Sequence, residues 1–215
     1  MDAAHEKRLA AEAAAQLVED GMSVGLGTGS TVALFLPALA ARGLTLRCVA
    51  TSHATEEQAR ALGLAVEPFT GAGSLGRLDI AVDGADQVAP DVWLVKGGGG
   101  AHTREKVVAA AADRFVVVVS SDKLVDALRS PVPLELHAYG LAATLRRLDL
   151  VSLREGPPSP DGGVIADYHG DVEDPALLAA ALSGTPGVVD HGLFPPSLVS
   201  EILVGHDEEI GRAHV

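Results

Sequence analysis

The 215-residue chain has a single cysteine, Cys48. An intramolecular disulfide is therefore impossible, and the chain suits a reducing compartment. Phe, Trp and Tyr together make up only 3% of residues. The core must then be built from Ala, Val and Leu, and aromatic platforms for single-stranded nucleic acid are disfavoured. Positive charge is also scarce: 16 Lys and Arg face 29 Asp and Glu, for a formal charge of −13. The resulting field repels polyanions, so neither nucleic acid nor an anionic membrane is an expected partner. A small phosphorylated ligand remains possible, because backbone N–H groups and one or two lysines suffice to hold it. The longest apolar run, VALFLPALAA, is too short to span a bilayer and contains Pro37. The N-terminal stretch MDAAHEKRLAAEAAAQLVED is charged and lacks the apolar centre of a signal peptide. A cytoplasmic protein is expected.

What is present is a globular pattern, with 47% hydrophobic residues. An Ala-rich helix closed by Gly21 leads into MSVGLGTGST, read as a short strand and a Gly/Ser/Thr loop, followed by a helical stretch, TVALFLPALAAR. LTLRCVAT, LDIAVD, DVWLVK and FVVVVS read as strands; ATEEQARALG and AHTREKVVAAAADR read as helices. Apolar strands alternating with helices predict an α/β domain with a mainly parallel sheet. From SPVPLELHAYG onward the order changes to strand (about 132–137), helix (139–148), strand (150–155), strand (163–168), helix (174–183) and strand (187–193). That is the β-α-β-β-α-β order of a ferredoxin-like unit. The expected domains are 1–130 with 204–215, and 131–203.

Three loops carry the residues that chemistry would use. In Gly25–Thr31, GLGTGST, glycines permit a tight turn, Thr28, Ser30 and Thr31 offer hydroxyls, and the following helix offers N–H groups. The spacing is not the dinucleotide fingerprint, since Ser30 stands where the third glycine would be, and the Gly-Lys ending of a nucleotide loop is absent. The same residues would also make a plain strand–helix turn with a Ser or Thr cap. In VDGAD, Asp83 ends an apolar strand and Asp86 follows a glycine turn. Two carboxylates at the carboxyl edge of a sheet are placed for acid–base work, or form an ordinary Asp-Gly turn. In KGGGGAHTREK, Lys96 follows an apolar strand and would share an edge with Asp83 if both strands ran parallel. Glycines 97 to 100 would let a ligand oxygen reach backbone N–H groups. Glu105 has Ala101, Val108, Ala109 and Ala112 as helical neighbours, so it falls on an apolar stripe that would desolvate a base. Alternatively Lys96 and Glu105 form a surface ion pair of little weight. The eight histidines show no metal-binding spacing; His53 and His102 read as solvated or hydrogen-bonded loop residues, and Cys48 reads as core.

Taken together, VGLGTGST, VDGADQ, KGGGGAHTREK and SDKLV resemble the type A ribose-5-phosphate isomerases in order and spacing, with weaker similarity through VPLEL, VIADYHG and GVVDHGLF. The resemblance implies a Rossmann-like catalytic domain carrying a ferredoxin-like domain that serves as lid and oligomerisation unit. It implies interconversion of ribose 5-phosphate and ribulose 5-phosphate, a step of the non-oxidative pentose phosphate pathway. The reaction would run through an enediolate without metal or organic cofactor, in a homodimer or homotetramer. By motif, Glu105 matches the catalytic base, Lys96 the oxyanion-stabilising lysine, and Asp83 and Asp86 the carboxylates of hydroxyl-proton transfer and ring opening. The substrate would be held by Gly27, Thr28, Gly29, Ser30 and Thr31, by Asp83, Gly84, Ala85 and Asp86, by Lys96, Gly97 and Gly98, and by Lys123 and Lys7.

Two positions depart from the pattern. Gln87 stands where the family usually has Glu, and Asp122 where Ser is common. The final HDEEIGRAHV shows no clear match. Two other readings compete: a non-catalytic sugar-phosphate sensor of related fold, which would need the phosphate loop but not Lys96 and Glu105 together, and an acyl-CoA transferase with Glu105 as nucleophile.

Overall fold

The computed structural model describes residues 2–206 and 209–214. Of the terminal stretch 204–215 assigned above to the first domain, residues 207, 208 and 215 lie outside the described residues. In chain order the elements are α1 (Ala3–Ala15), β1 (Ser23–Leu26), α2 (Val32–Ala40), β2 (Arg47–Ala50), α3 (His53–Ala61), β3 (Ile80–Asp83), β4 (Gln87–Val88), β5 (Leu94–Val95), α4 (His102–Ala111) and β6 (Phe115–Ser120). There follow β7 (Val132–Leu136), α5 (Leu141–Leu145), β8 (Val151–Leu153), β9 (Val164–Tyr168), α6 (Pro175–Ser183), β10 (Val188–His191), β11 (Leu193–Phe194), β12 (Glu201–His206) and β13 (Glu209–His214).

The chain divides into two compact units. The first comprises residues up to Ala85, Glu105–Lys123 and the stretch from Ser197 onward; the second comprises Asp86–Arg104 and Leu124–Pro196.

The first unit is built on a six-stranded sheet in the order β13-β12-β6-β3-β1-β2. Its strands run parallel from β2 to β12, and β13 closes the edge antiparallel. Alternate residues Val24, Leu26, Ile80, Val82, Val116, Val118 and Leu203 join one core with the alanines of α1 and with Phe35, Leu36 and Leu39 of α2. The other face receives α4: a Cβ on Gly25 would lie 2.5 Å from Val108 Cγ1, so this helix approaches the strand only because position 25 is glycine. Burial on both faces is why β6 reads as an unbroken apolar run. Scarce aromatics are compensated by closeness: Ala10, Ala11, Ala14 and Ala15 have no exposed surface. The caps are local. Asp2 accepts from the N–H of Ala4 at the start of α1, and Ser52 from that of Thr55 at the start of α3.

The second unit contains the expected β-α-β-β-α-β run as β7, α5, β8, β9, α6 and β10, paired antiparallel in the order β10-β7-β9-β8. Numbered within the unit, this is the 4-1-3-2 order of a ferredoxin-like sheet. Val132, Leu134, Leu136 and Ala166 pack with Leu182 of α6 in its core. Asp174 caps α6 by accepting from the N–H of Leu177, with Pro175 in the first turn.

One expected strand is placed differently. DVWLVK contributes only β5, which belongs not to the parallel sheet but to a three-stranded antiparallel sheet, β11-β5-β4. Ten residues separate Asp83 from Leu94. A parallel neighbour needs a crossover of a dozen or more, so the chain doubles back as a hairpin instead. The inference that Lys96 shares a parallel-sheet edge with Asp83 is therefore corrected.

Candidate active site

In the first unit, chain order reverses at β1. The connection after β1 leads outward to β2, while β3 lies on its other side. Such a switch point opens a crevice at the carboxyl ends of the strands. The register pairs Leu26 with Val82, so the loop after β1 meets the end of β3 directly. Asp83 is 3% exposed. Its Oδ1 accepts from the N–H of Thr28 at 3.0 Å and from that of Gly84 at 2.8 Å. A Cβ on Gly27 would fall 2.1 Å from Asp83 Cγ, so the carboxylate occupies the space that glycine leaves. Thr31 stands at the start of α2 but makes no side-chain capping bond, so the plain cap reading does not describe it. Lys7 of α1 donates to Ser30 Oγ at 3.1 Å.

A short 3-10 turn, Ser121–Lys123, follows β6 at the same end of the sheet. Asp122 lies 3.5 Å from Lys123 Nζ and accepts from the Ser120 hydroxyl. That hydroxyl, with Lys123 and then Lys7, holds the Asp122 carboxyl below the usual aspartate range. Glu6 of α1 anchors the turn, its Oε2 accepting from both the N–H and the hydroxyl of Ser121 at 2.7 Å. Gly27, Thr28, Ser30, Asp83 and Gly84 are thus brought together in one unit, which also carries Lys7 and Lys123.

Other residues here escaped the sequence reading. Thr28 Oγ1 is 2.7 Å from Thr51 Oγ1, and Thr55 Oγ1 donates to the Gly27 carbonyl at 2.8 Å. Both threonines are buried and follow β2. The strand-end rule, applied to VATSHAT as it was to VDGAD, would have found them.

In the second unit, Asp86 Oδ2 accepts from the N–H of Gly98 at 2.8 Å. That N–H was expected to face a ligand; here it serves an aspartate. Lys96 is 2% exposed, its Nζ 5.4 Å from the centroid of the Phe194 ring, a cation–π distance. Gly97 has φ of +100°, and a Cβ there would lie 2.7 Å from His102 Nδ1. His102 begins α4 and has no exposed surface, so of the two readings expected for it, solvated or hydrogen-bonded, the solvated one is excluded. Arg154 Nη1 donates to the carbonyls of Gly97 at 3.2 Å and Gly98 at 2.9 Å. Glu135, buried in β7, accepts from the hydroxyls of Thr103 and Ser159, and Arg104 forms a forked pair with Asp161. These contacts hold the start of α4, whose next residue is Glu105. Nothing local in the sequence signalled Arg154 or Glu135, because their partners lie far away in the chain.

Glu105 itself is 4% exposed, and Ala101, Val108 and Ala109 on its stripe are buried as expected. Lys96 is buried as well, so neither residue is the solvated surface charge of the alternative reading. Gln87 forms a reciprocal pair with the backbone of Arg129: its Nε2 donates to the carbonyl and its Oε1 accepts from the N–H. Glutamate could only accept. Among the described residues, no group of three or more His, Cys, Asp or Glu side chains could hold a metal ion. No helix among them is long and apolar enough to cross a membrane.

The model for ribose 5-phosphate isomerase A (phosphoriboisomerase A) matches residues 47–209. The chain belongs to the ribose 5-phosphate isomerase A family. It is 46% identical over 228 residues to ribose-5-phosphate isomerase A of Caulobacter vibrioides, covering 99% of both chains. That relative therefore spans Lys7 and the loop after β1, which precede the family-model match. The fold is similar to a ribose 5-phosphate isomerase A structure from Methanocaldococcus jannaschii, with a TM-score of 0.89, 33% identity and coverage of 97% and 98%. A D-ribose-5-phosphate isomerase solved in complex with phospho-erythronic acid gives a TM-score of 0.91 at 32% identity, covering 100% of both chains.

Proposed function

We propose that this chain interconverts D-ribose 5-phosphate and D-ribulose 5-phosphate through an enediolate, in the non-oxidative pentose phosphate pathway of the cytoplasm. The observation that carries the reading is the 46% identity, across essentially the whole chain, to a named isomerase of this family. Phospho-erythronic acid, held by one structural relative, bears a carboxylate where an enediolate bears its two oxygens.

The residues map onto the reaction as follows. Glu105 removes the proton from C2 of the open-chain aldose and returns it to C1. Burial keeps bulk water from competing for that proton. Lys96 supplies positive charge to the oxyanion that develops as the proton leaves. Its burial strengthens this attraction, since charges interact more strongly out of water. Asp83 and Asp86 handle the second proton, which moves from the C2 hydroxyl to the C1 oxygen, and open the sugar ring. Lys7, Ser30, Thr31 and Lys123, with the N–H groups that begin α2, hold the phosphate. Gly27, Thr28, Gly29, Gly84, Ala85, Gly97 and Gly98 line the substrate. Both protons travel on protein groups, so no step calls for a metal or organic cofactor.

Replacing Glu105 by Gln removes the base while keeping the shape. We expect kcat to fall by about 10²–10⁴-fold, with KM changed much less. A Glu105→Gln enzyme turning over at near the parent rate would refute the role assigned to Glu105. We further propose a homodimer or homotetramer, supported by the nearly full exposure of Tyr139 and the exposed Leu150 and Leu177 on the second unit. A monomer mass by light scattering at micromolar concentration would contradict it.

A further inference from the structure

The loop from Lys96 to Gly98 needs a positioning device, because glycines carry more backbone freedom than any other residue and lose most on being ordered. Its N–H side is held by Asp86, which accepts from Gly98. Its carbonyl side is held by Arg154, whose Nη1 donates to both Gly97 and Gly98. The guanidinium is itself fixed, since its Nε and Nη2 grip the two carboxylate oxygens of Asp167 on β9. Arg154 and Asp167 are both largely shielded from solvent, with side-chain exposures of 27% and 16%. A fork that reaches a carboxylate with one edge and two carbonyls with the other is peculiar to arginine; a lysine ammonium cannot reproduce it.

We infer that Arg154, oriented by Asp167, is a positioning residue for the isomerisation: it locks the Gly97–Gly98 backbone and thereby fixes Lys96 and Asp86 at the two ends of the clamp. Arg154 touches no reacting atom in this scheme and acts through the loop. The inference rests on the proposed roles of Lys96 and Asp86.

The test compares Arg154→Ala, Arg154→Lys, Asp167→Asn and Lys96→Ala with the parent enzyme, using ribose 5-phosphate as substrate and circular dichroism to confirm folding. Misplacing a reacting group by about an ångström costs on the order of 100-fold. We expect kcat of Arg154→Ala to fall about that much with KM changed by less than about fivefold. Low-millimolar guanidinium should restore part of its kcat without accelerating the parent. Arg154→Lys should stay as impaired as the alanine variant, and Asp167→Asn should lie between. A merely structural arginine would lower thermal stability without a kcat recoverable by guanidinium. Folded Arg154→Ala with kcat within about threefold of the parent overturns the inference. If that variant does not fold, a folded Arg154→Lys or Asp167→Asn with parental kcat overturns it equally. Parental kcat in Lys96→Ala would instead refute the assignment of Lys96 and remove the basis of this inference.

Discussion

Asp83 and Gly27 are a matched pair at residue scale. The carboxylate accepts two backbone N–H bonds only because no side chain stands at position 27. Gly27→Ala must push the buried carboxylate off those donors. Crowding of this kind costs about 1–3 kcal/mol. We expect that loss in urea unfolding, together with a fall in kcat of at least about tenfold; parental stability and activity would show that the close approach does not matter. The same scale shows what a linear reading captures. The burial of Glu105 was legible because its apolar stripe lies within one helix, and helical spacing is local information. The glycines at 97 and 98 were legible as a close approach, but not what approaches them. His102 and Asp86 fill that space, and a string of residues does not announce which of its own side chains will return to it. Gln87 shows the converse. A departure from the family's usual Glu is a clamp on the Arg129 backbone, where an amide satisfies both a donor and an acceptor.

At element scale, Glu6 ties α1 to the turn that carries Lys123. The Ser121 hydroxyl and then its N–H hold the Glu6 carboxyl below its ordinary value of 4.5, with a smaller contribution from His206. A carboxylate depressed in the folded state contributes stability that is complete above its unfolded value and is lost as pH falls through the folded one. Thermal melts should therefore show Glu6→Gln less stable than the parent near neutral pH, with the gap narrowing below about pH 4.5. A gap that stays constant from pH 7 to pH 3 would contradict this linkage. Long periodic elements such as β6 and α1, and the β-α-β-β-α-β run, were readable because period and length set them locally. The two-residue strand β5 was not. Its apolar run fits a buried strand of either sheet, and only the shortness of the link from Asp83 decides between them.

For the molecule as a whole, a charge of −13 and a phosphorylated substrate are compatible because local groups outweigh the distant field. Lys7, Lys123 and the start of α2 belong to one unit and follow from its strand order, in which the carboxyl ends of β1, β3 and β6 share an edge. Family membership covers the chain, and the roles proposed for the buried Lys96 and Glu105 would give that membership a chemical form. The central claim is catalytic isomerisation by protein groups alone. Its most direct test is the conversion of ribose 5-phosphate to ribulose 5-phosphate by the purified protein in excess EDTA. The account predicts rapid conversion, unchanged by the chelator. A folded protein that binds the sugar phosphate yet leaves it unconverted, or converts it only when metal is restored, would contradict it.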